Sequence, residues 1–347
     1  MSGELLKLTT YFGEHDRTEH QLLADALFAL YGRERVWVSA MLRGIEGFGR
    51  HHLAHTELLL TLSEDLPIMS VALDAPERIE ALLPRVLGLK RRGMVTLERA
   101  RPLGGPLQGQ PGLQLPADLA DQAKLTIYLG RRQRVRGTPA FVAACELLRR
   151  HGMDGATVLL GVDGTLAGVR TRARLFNVNP DVPILVIAVG AVTAVRGAMA
   201  ELHRVLERPP ITVERVRVCR RAGVELSDPS PLPPVLAHDE PWAQKLTVHS
   251  TEDDRVDGRP LHRVLVEHLR RQRLAGATTL RGVWGFHDDL APRGDRLLQL
   301  RRHAPVMTIA VDQPERIAEV FDEVARITGR AGLVTVETVP TRVFPSD

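Results

Sequence analysis

Lysine is nearly absent from this chain: only four occur among 46 basic residues, leaving 42 arginines. The arginine surplus fits either anion-binding surfaces or the codon bias of a GC-rich genome. Aromatic residues make up 4%, too few for the stacking faces on which RNA-recognition domains read single strands. Two cysteines, Cys145 and Cys219, stand in separate segments. They form neither a zinc spacing nor a disulfide framework, and a reducing cytoplasm is the simplest expectation. The N-terminus reads as lacking a signal peptide. The longest apolar run, 182–195, contains Pro183 and is too short to span a bilayer, so it reads as strand plus turn. Catalytic signatures are missing as well. No lysine follows a glycine, which excludes a P-loop. Gly-x-Ser-x-Gly and His-Glu-x-x-His do not occur. A net charge of +4 with 44% apolar residues is ordinary for a soluble chain of 347 residues.

What is present is a repeat. Lys-Leu-Thr begins at Lys7, Lys124 and Lys245, and a glycine follows each lysine by 37 residues, at Gly44, Gly161 and Gly282. A proline opens an apolar run at Pro67, Pro183 and Pro305, and a glutamate closes each unit at Glu98, Glu214 and Glu337. Three of the four lysines therefore share one repeat position. A period of about 120 residues is too long for a solenoid and indicates a duplicated globular domain. Each copy is long enough for its own core. The expected division is repeat one over 1–103, a linker over 104–121, a divergent repeat two over 122–221, a Pro-rich linker over 222–242 and repeat three over 243–347. Both linkers are expected to be extended.

Within repeat one, alternation over 5–11 predicts a strand, and Leu22, Leu23, Ala26, Leu27 and Leu30 predict a helix. Val36, Val38, Ala40 and Leu42 give a second strand, and a buried third begins at Pro67. Asp74-Ala75-Pro76-Glu77 starts a second helix, and 94–100 forms the last strand. The order βαββαβ is ferredoxin-like, an antiparallel sheet with both helices on one face. The other face must be buried by another copy. The expected fold is thus α+β: three tandem ferredoxin-like domains closing into a single-chain pseudo-trimer.

The most distinctive segment is Arg43-Gly44-Ile45-Glu46-Gly47-Phe48-Gly49-Arg50-His51-His52. Repeat three keeps Arg281-Gly282-Val283-Trp284-Gly285-Phe286-His287, and repeat two reduces it to Leu160-Gly161-Val162-Asp163-Gly164. Gly155-Ala156-Thr157-Val158 and Gly276-Ala277-Thr278-Thr279 precede it. Together these resemble domain of unknown function 190, a branch of the PII-like signalling proteins, across all three repeats and most weakly in the second. The resemblance implies PII-like domains with adenine nucleotides in clefts between subunits and a mobile loop after strand two that touches a partner. It also implies a partner such as a membrane fluoride-efflux channel.

Glycines at 44, 47 and 49 would bring backbone N–H groups to an anion. The candidate ligand-binding residues are Arg43, Gly44, Gly47, Phe48, Gly49, Arg50, His51 and His52, with Lys90, Arg91 and Arg92. Arg281, Gly282, Gly285, Phe286 and Arg330 complete the set. By the family layout, the loop after strand two faces the segment before strand four of the next copy, at 90–93, 208–210 or 330–332.

His51, His52 and His55 invite a metal, but no third ligand has convincing spacing, and no metal or required cofactor is expected. Glu46 and Asp65 could pair around a water, though solvated carboxylates are the plainer account. A lysine opening a strand either points to solvent or contacts a ligand, and the repeated glutamates would cap or pair with arginine across an interface. The expectation is a cytoplasmic, non-enzymatic, PII-like regulator acting as a monomeric pseudo-trimer. It would bind an adenine nucleotide or another anion, without nucleic acid. The rivals are a protein-interaction scaffold, an RNA-binding module and an enzyme with an assembled cleft.

Overall fold

The computed structural model describes residues 4–49, 54–56, 65–90, 93–103, 115–116, 119, 121–172, 182–232, 242–287, 293–294 and 304–343. Repeat one runs β1 (Leu5–Gly13), α1 (Leu23–Arg33), β2 (Val38–Arg43), β3 (Glu46–Phe48), β4 (Ala54–Thr56), β5 (Pro67–Asp74), α2 (Pro76–Leu89) and β6 (Met94–Pro102). Repeat two runs β7 (Gln122–Gly130), β8 (Arg134–Val135), β9 (Thr138–Pro139), α3 (Ala140–Arg150), β10 (Gly155–Leu160), β11 (Asp163–Leu166) and β12 (Val169–Arg172). It continues through β13 (Pro183–Ala191), α4 (Val192–Val205), β14 (Ile211–Arg215), β15 (Arg217–Arg221) and β16 (Val224–Glu225). Repeat three runs β17 (Trp242–Thr251), β18 (Arg255–Val256), β19 (Arg259–Pro260), α5 (Leu261–Arg271), β20 (Ala277–Arg281) and β21 (Trp284–His287). It ends with β22 (Arg293–Gly294), β23 (Pro305–Asp312), α6 (Pro314–Thr328) and β24 (Leu333–Val343).

Each repeat forms the antiparallel order expected of a ferredoxin-like unit. In repeat one it is β2-β5-β1-β6, in repeat two β10-β13-β7-β14, and in repeat three β20-β23-β17-β24. Alternation along β1 divides its side chains between two cores. Leu8 and Phe12 pack outward with Leu23, Leu27, Ile79 and Val86 of the helices. Leu5 and Tyr11 point inward, into a core shared by all three repeats, with Met69, Tyr128, Leu185, Met307 and Ile309. The sheet faces that one repeat would expose are thus buried against the other two.

Two local expectations change. The apolar run 182–195 contains no turn: β13 leads directly into α4 at Val192. The start of the second linker is folded, because β16 pairs back on β15, and β15 in turn pairs with β24. No helix among the described residues is long and apolar enough to cross a membrane.

Every junction between repeats is a reciprocal exchange. The strand after the glycine landmark crosses to the neighbour's second strand: β3 to β20, β11 to β2, and β21 to β10. In return, the last strand of each repeat runs past its own sheet onto the next. Pro102 pairs with Thr212, Val218 with Thr335, and Thr341 with Thr96. The three crossings share one register relative to the repeated glutamates, so the pseudo-threefold closure is built into the strands.

Candidate functional site

The repeated lysines and glutamates meet on the pseudo-threefold axis. Within each repeat they are direct cross-strand partners: Lys7 opposite Glu98, Lys124 opposite Glu214, and Lys245 opposite Glu337. Their head groups also reach the neighbouring repeat. Lys7 bonds Glu214, Lys124 bonds Glu337, and Lys245 lies 2.6 Å from Glu98. The pairs inside the repeats, 2.6 Å for Lys7–Glu98, 2.6 Å for Lys124–Glu214 and 3.1 Å for Lys245–Glu337, close an alternating six-membered ring. All six residues are buried. This corrects both expectations for them: the lysines do not face solvent, and the glutamates pair with lysine rather than arginine.

Burial opposes the charge on Lys7, but Glu214 and Glu98 outweigh it and raise its pKa above the ordinary lysine value. Lys124 is raised further, against burial, by Glu214, Glu337 and Glu98. At Lys245 burial prevails over Glu337 and Glu98, and its pKa falls. Burial likewise works against Glu98, and Lys245, Lys7 and Lys124 overcome it to hold the carboxyl well below its usual range. Carboxylate oxygens of Glu98, Glu214 and Glu337 lie within 4.8 Å of one another. Such a group could hold a cation, and here the three ammonium groups supply that charge.

A cavity of about 50 Å³ lies beside this ring, room for a few waters. Equivalent positions line it in layers: Thr9, Thr126 and Thr247, then Tyr11, Tyr128 and His249, then Met69, Leu185 and Met307. His249 is the departure from symmetry. Burial, with help from His287 and Lys124, pushes its pKa down to about 3.

The glycine landmarks have a different role from the one their chemistry suggested. Gly44 N–H donates to Pro67 O at 2.7 Å, Gly161 to Pro183 O at 2.9 Å and Gly282 to Pro305 O at 2.7 Å. The next amide crosses the junction in each case: Ile45 to Thr279 O, Val162 to Met41 O and Val283 to Val158 O. A Cβ on Gly47, Gly164 or Gly285 would run into the carbonyl of Ala277, Ser39 or Ala156. These glycines permit strand-on-strand approach, and the amides at 44 and 282 are already spent on prolines. Gly49 has nothing within 4 Å of its Cβ position.

The remaining predicted residues disperse. Phe48 lies in the core of repeat three, and Phe286 in that of repeat two. Repeat two instead presents Thr165, whose hydroxyl donates to Val36 O at 2.7 Å. Arg43 pairs with Glu14 at 2.8 Å, and Arg281 with the equivalent Glu252 at 2.6 Å. Lys90 is buried over Phe12 and donates to Tyr11 O at 2.6 Å. Burial, partly offset by Asp16, lowers its pKa to about 7. Arg330 lies beside Gly223 in repeat two's hairpin. The expected facing segment 330–332 therefore contacts β15–β16, whereas the described start of the loop in repeat one pairs with β20. Arg50, His51, His52, Arg91 and Arg92 lie outside the described residues. Of His55 only the backbone, paired with Gly47, is described.

Glu46 and Asp65 do not pair. Asp65 accepts from His15 N–H at 2.6 Å. Glu46 is buried against α5 of repeat three, with Oε2 3.8 Å from His262 Nε2. Burial raises the Glu46 carboxyl to about 7 despite Arg263 and Arg259, and burial lowers His262 to about 4. No spacing in the sequence connects these two residues, since they meet only when repeats one and three close.

Comparison with known proteins follows the same threefold division. The profile of domain of unknown function 190, described as an uncharacterized ACR, matches residues 5–102, 122–218 and 243–341. The UPF0166 protein of Aquifex aeolicus (strain VF5) is 33% identical over 95 residues, covering 88% of that protein and 27% of this chain. That relative is therefore about one repeat long. With one pattern recurring three times and each recurrence folding as a ferredoxin-like unit, the chain belongs to the domain of unknown function 190 family, in three tandem copies.

Proposed function

We propose that the protein is a non-enzymatic PII-like signalling protein that takes an adenine nucleotide or another anion between its repeats and thereby regulates a partner. The observation that carries this reading is the reciprocal strand exchange at each junction. A ligand seated between two repeats touches elements of both, so its binding would bias the position of the loop after the second strand. A membrane fluoride-efflux channel is the first partner to test. One junction carries Thr165 where the other two carry Phe48 and Phe286, so fewer than three clefts are expected to respond.

A second reading, a protein-interaction scaffold without a nucleotide, is favoured by the amides of Gly44 and Gly282, which already donate to Pro67 and Pro305. Calorimetric titration with ATP, ADP, AMP and cyclic AMP separates the two. One or two sites per chain support the sensor. Absence of heat with all four nucleotides removes it and leaves the scaffold. Phosphate release in the same mixtures would overturn the non-enzymatic reading.

A further inference from the structure

The junction of repeats one and two holds an open cleft of about 610 Å³ whose walls include Arg35, Arg78 and Arg170. We propose that this cleft binds a phosphate monoester, with the phosphate among the three guanidinium groups and the organic body against Trp37 and Val169. The inference rests on the reading of the junctions as anion sites, but it moves the site away from the glycine landmarks.

Arg35 closes helix α1 with φ of 49°, in the left-handed region, and the following Val36 N–H reaches back to Tyr31 O at 3.0 Å. Glycine is the favoured residue in such a cap. Repeat two has Gly152 there, with φ of 78°, but repeat three again has an arginine, Arg273, with φ of 57°. Glycine would be unstrained at this position, and the side chain that arginine adds there lines the cleft.

Arg78 is fixed beside it. Its Nη2 donates to Arg35 O at 3.1 Å and its Nε lies 3.3 Å from Asp74 Oδ2. Asp74 is the carboxylate in the cleft wall, and its oxygens accept from Trp37 N–H at 2.9 Å and Ala75 N–H at 2.8 Å. Asp74 thus offsets Arg78, and Asp163 offsets Arg170, so the three guanidinium groups leave the cleft one net positive charge. Arg78 also donates to Glu34 O, and the arrangement recurs in repeat three, where Asp312 accepts from Ala275 N–H at 2.7 Å and Arg316 donates to the equivalent Gln272 O. Repeat two has Gly190 and Ala194 at those positions.

Repeat two supplies the opposite wall through the β11–β12 hairpin. Ala167 and Gly168 have φ of 51° and 77°, a pair that suits a tight two-residue hairpin turn. Gly168 N–H donates to Trp37 O at 3.0 Å and clamps the tip onto repeat one. Arg170 lies across Gly32, its Nη2 2.6 Å from Asp163 Oδ2. Planar arginine forks suit a phosphate. The volume exceeds that of bare phosphate and falls within the range of small-molecule sites. Val169, 68% exposed at the rim, gives an organic substituent an apolar contact.

The test is calorimetric titration of the intact chain with phenyl phosphate, inorganic phosphate and AMP, beside an Arg35→Gly variant. Glycine suits the backbone at that position, so the variant removes the guanidinium without straining the fold. The expected result is one phenyl phosphate per chain, bound more tightly than inorganic phosphate. Affinity should fall at least about tenfold in Arg35→Gly, with an unchanged melting temperature, and fall again in Arg170→Lys. No binding of phenyl phosphate, or binding indifferent to both substitutions, overturns the proposal. AMP and phenyl phosphate binding that both survive Arg35→Gly overturn this cleft and leave the nucleotide sensor standing. Phenyl phosphate lost in Arg35→Gly, with no nucleotide bound at all, upholds the cleft and removes the nucleotide.

Discussion

Lys245 Nζ of repeat three lies 2.6 Å from Glu98 Oε2 of repeat one, and the two residues are 147 positions apart. A buried ion pair adds little over a well-packed apolar pair, but breaking one strands the remaining charge. Lys245→Met should therefore lower stability by about 3–5 kcal/mol, read as a shift of the urea midpoint at neutral pH. Adding Glu98→Gln should lose less than the sum of the two single changes, because it removes the carboxylate left in excess over the two remaining lysines. Strict additivity would remove Lys245 and Glu98 from a common network.

The glycine contacts predict opposite outcomes for two neighbours. Gly47→Ala places a methyl group against the Ala277 carbonyl, where neither backbone can yield without opening the junction. A loss of about 1–3 kcal/mol is expected from such overpacking. Gly49→Ala meets nothing within 4 Å and should change stability by less than about 0.5 kcal/mol. Equal effects in thermal melts would contradict the strand-approach account.

Phe48 belongs to repeat one by sequence and to repeat three by packing. Phe48→Ala should cost about 3–5 kcal/mol. Its effect should be local: hydrogen exchange should speed up in β20, which pairs with β3, and leave β10 protected. Uniform deprotection would mean that the junctions do not act separately.

The buried titratable groups predict opposing pH effects. Burial holds His249 at about 3 and His287 at about 4, against about 6.5 in the unfolded chain. From pH 6.5 downward the unfolded chain takes up protons first, so stability falls as pH drops toward 4. Glu46 acts in the other sense. Its carboxyl is raised from 4.5 to about 7, so its contribution is present at low pH and fades as pH rises through 7. His249→Tyr installs the residue type that repeats one and two carry and should flatten the acid limb of melting temperature against pH. Glu46→Gln should raise the melting temperature at pH 8 relative to pH 5. No change in either limb would show that these groups do not govern the profile.

The sequence revealed the period, the strand order and the need for mutual burial because each depends on local pattern: alternation in β1, helical spacing in α1, the proline opening α2. It concealed the purpose of the landmarks. A lysine at a strand start looks solvated when one repeat is read alone, and only closure shows that Lys7 stands between Glu98 and Glu214. A signal was available: lysine is scarce, and three of four occupy one repeat position with a glutamate at a matching offset. Gly44 and Gly47 likewise resemble an anion loop in isolation, since close approach to a strand and to a ligand ask for the same missing side chain. Arg35 carried no pattern at all; its backbone angle and its neighbours from repeat two exist only in the fold.

Two of the three junctions are tethered by covalent continuity, and the third, between repeats three and one, closes without a tether. The β24–β6 and β3–β20 pairings there form at an effective local concentration set by the chain itself. A single-repeat chain that assembled into a trimer would dissociate on dilution. This chain reaches the same ring by a first-order step, so dilution cannot dissociate it into free subunits. An occupant of a junction competes only with an intramolecular closure whose equilibrium is the same in a scarce protein as in an abundant one.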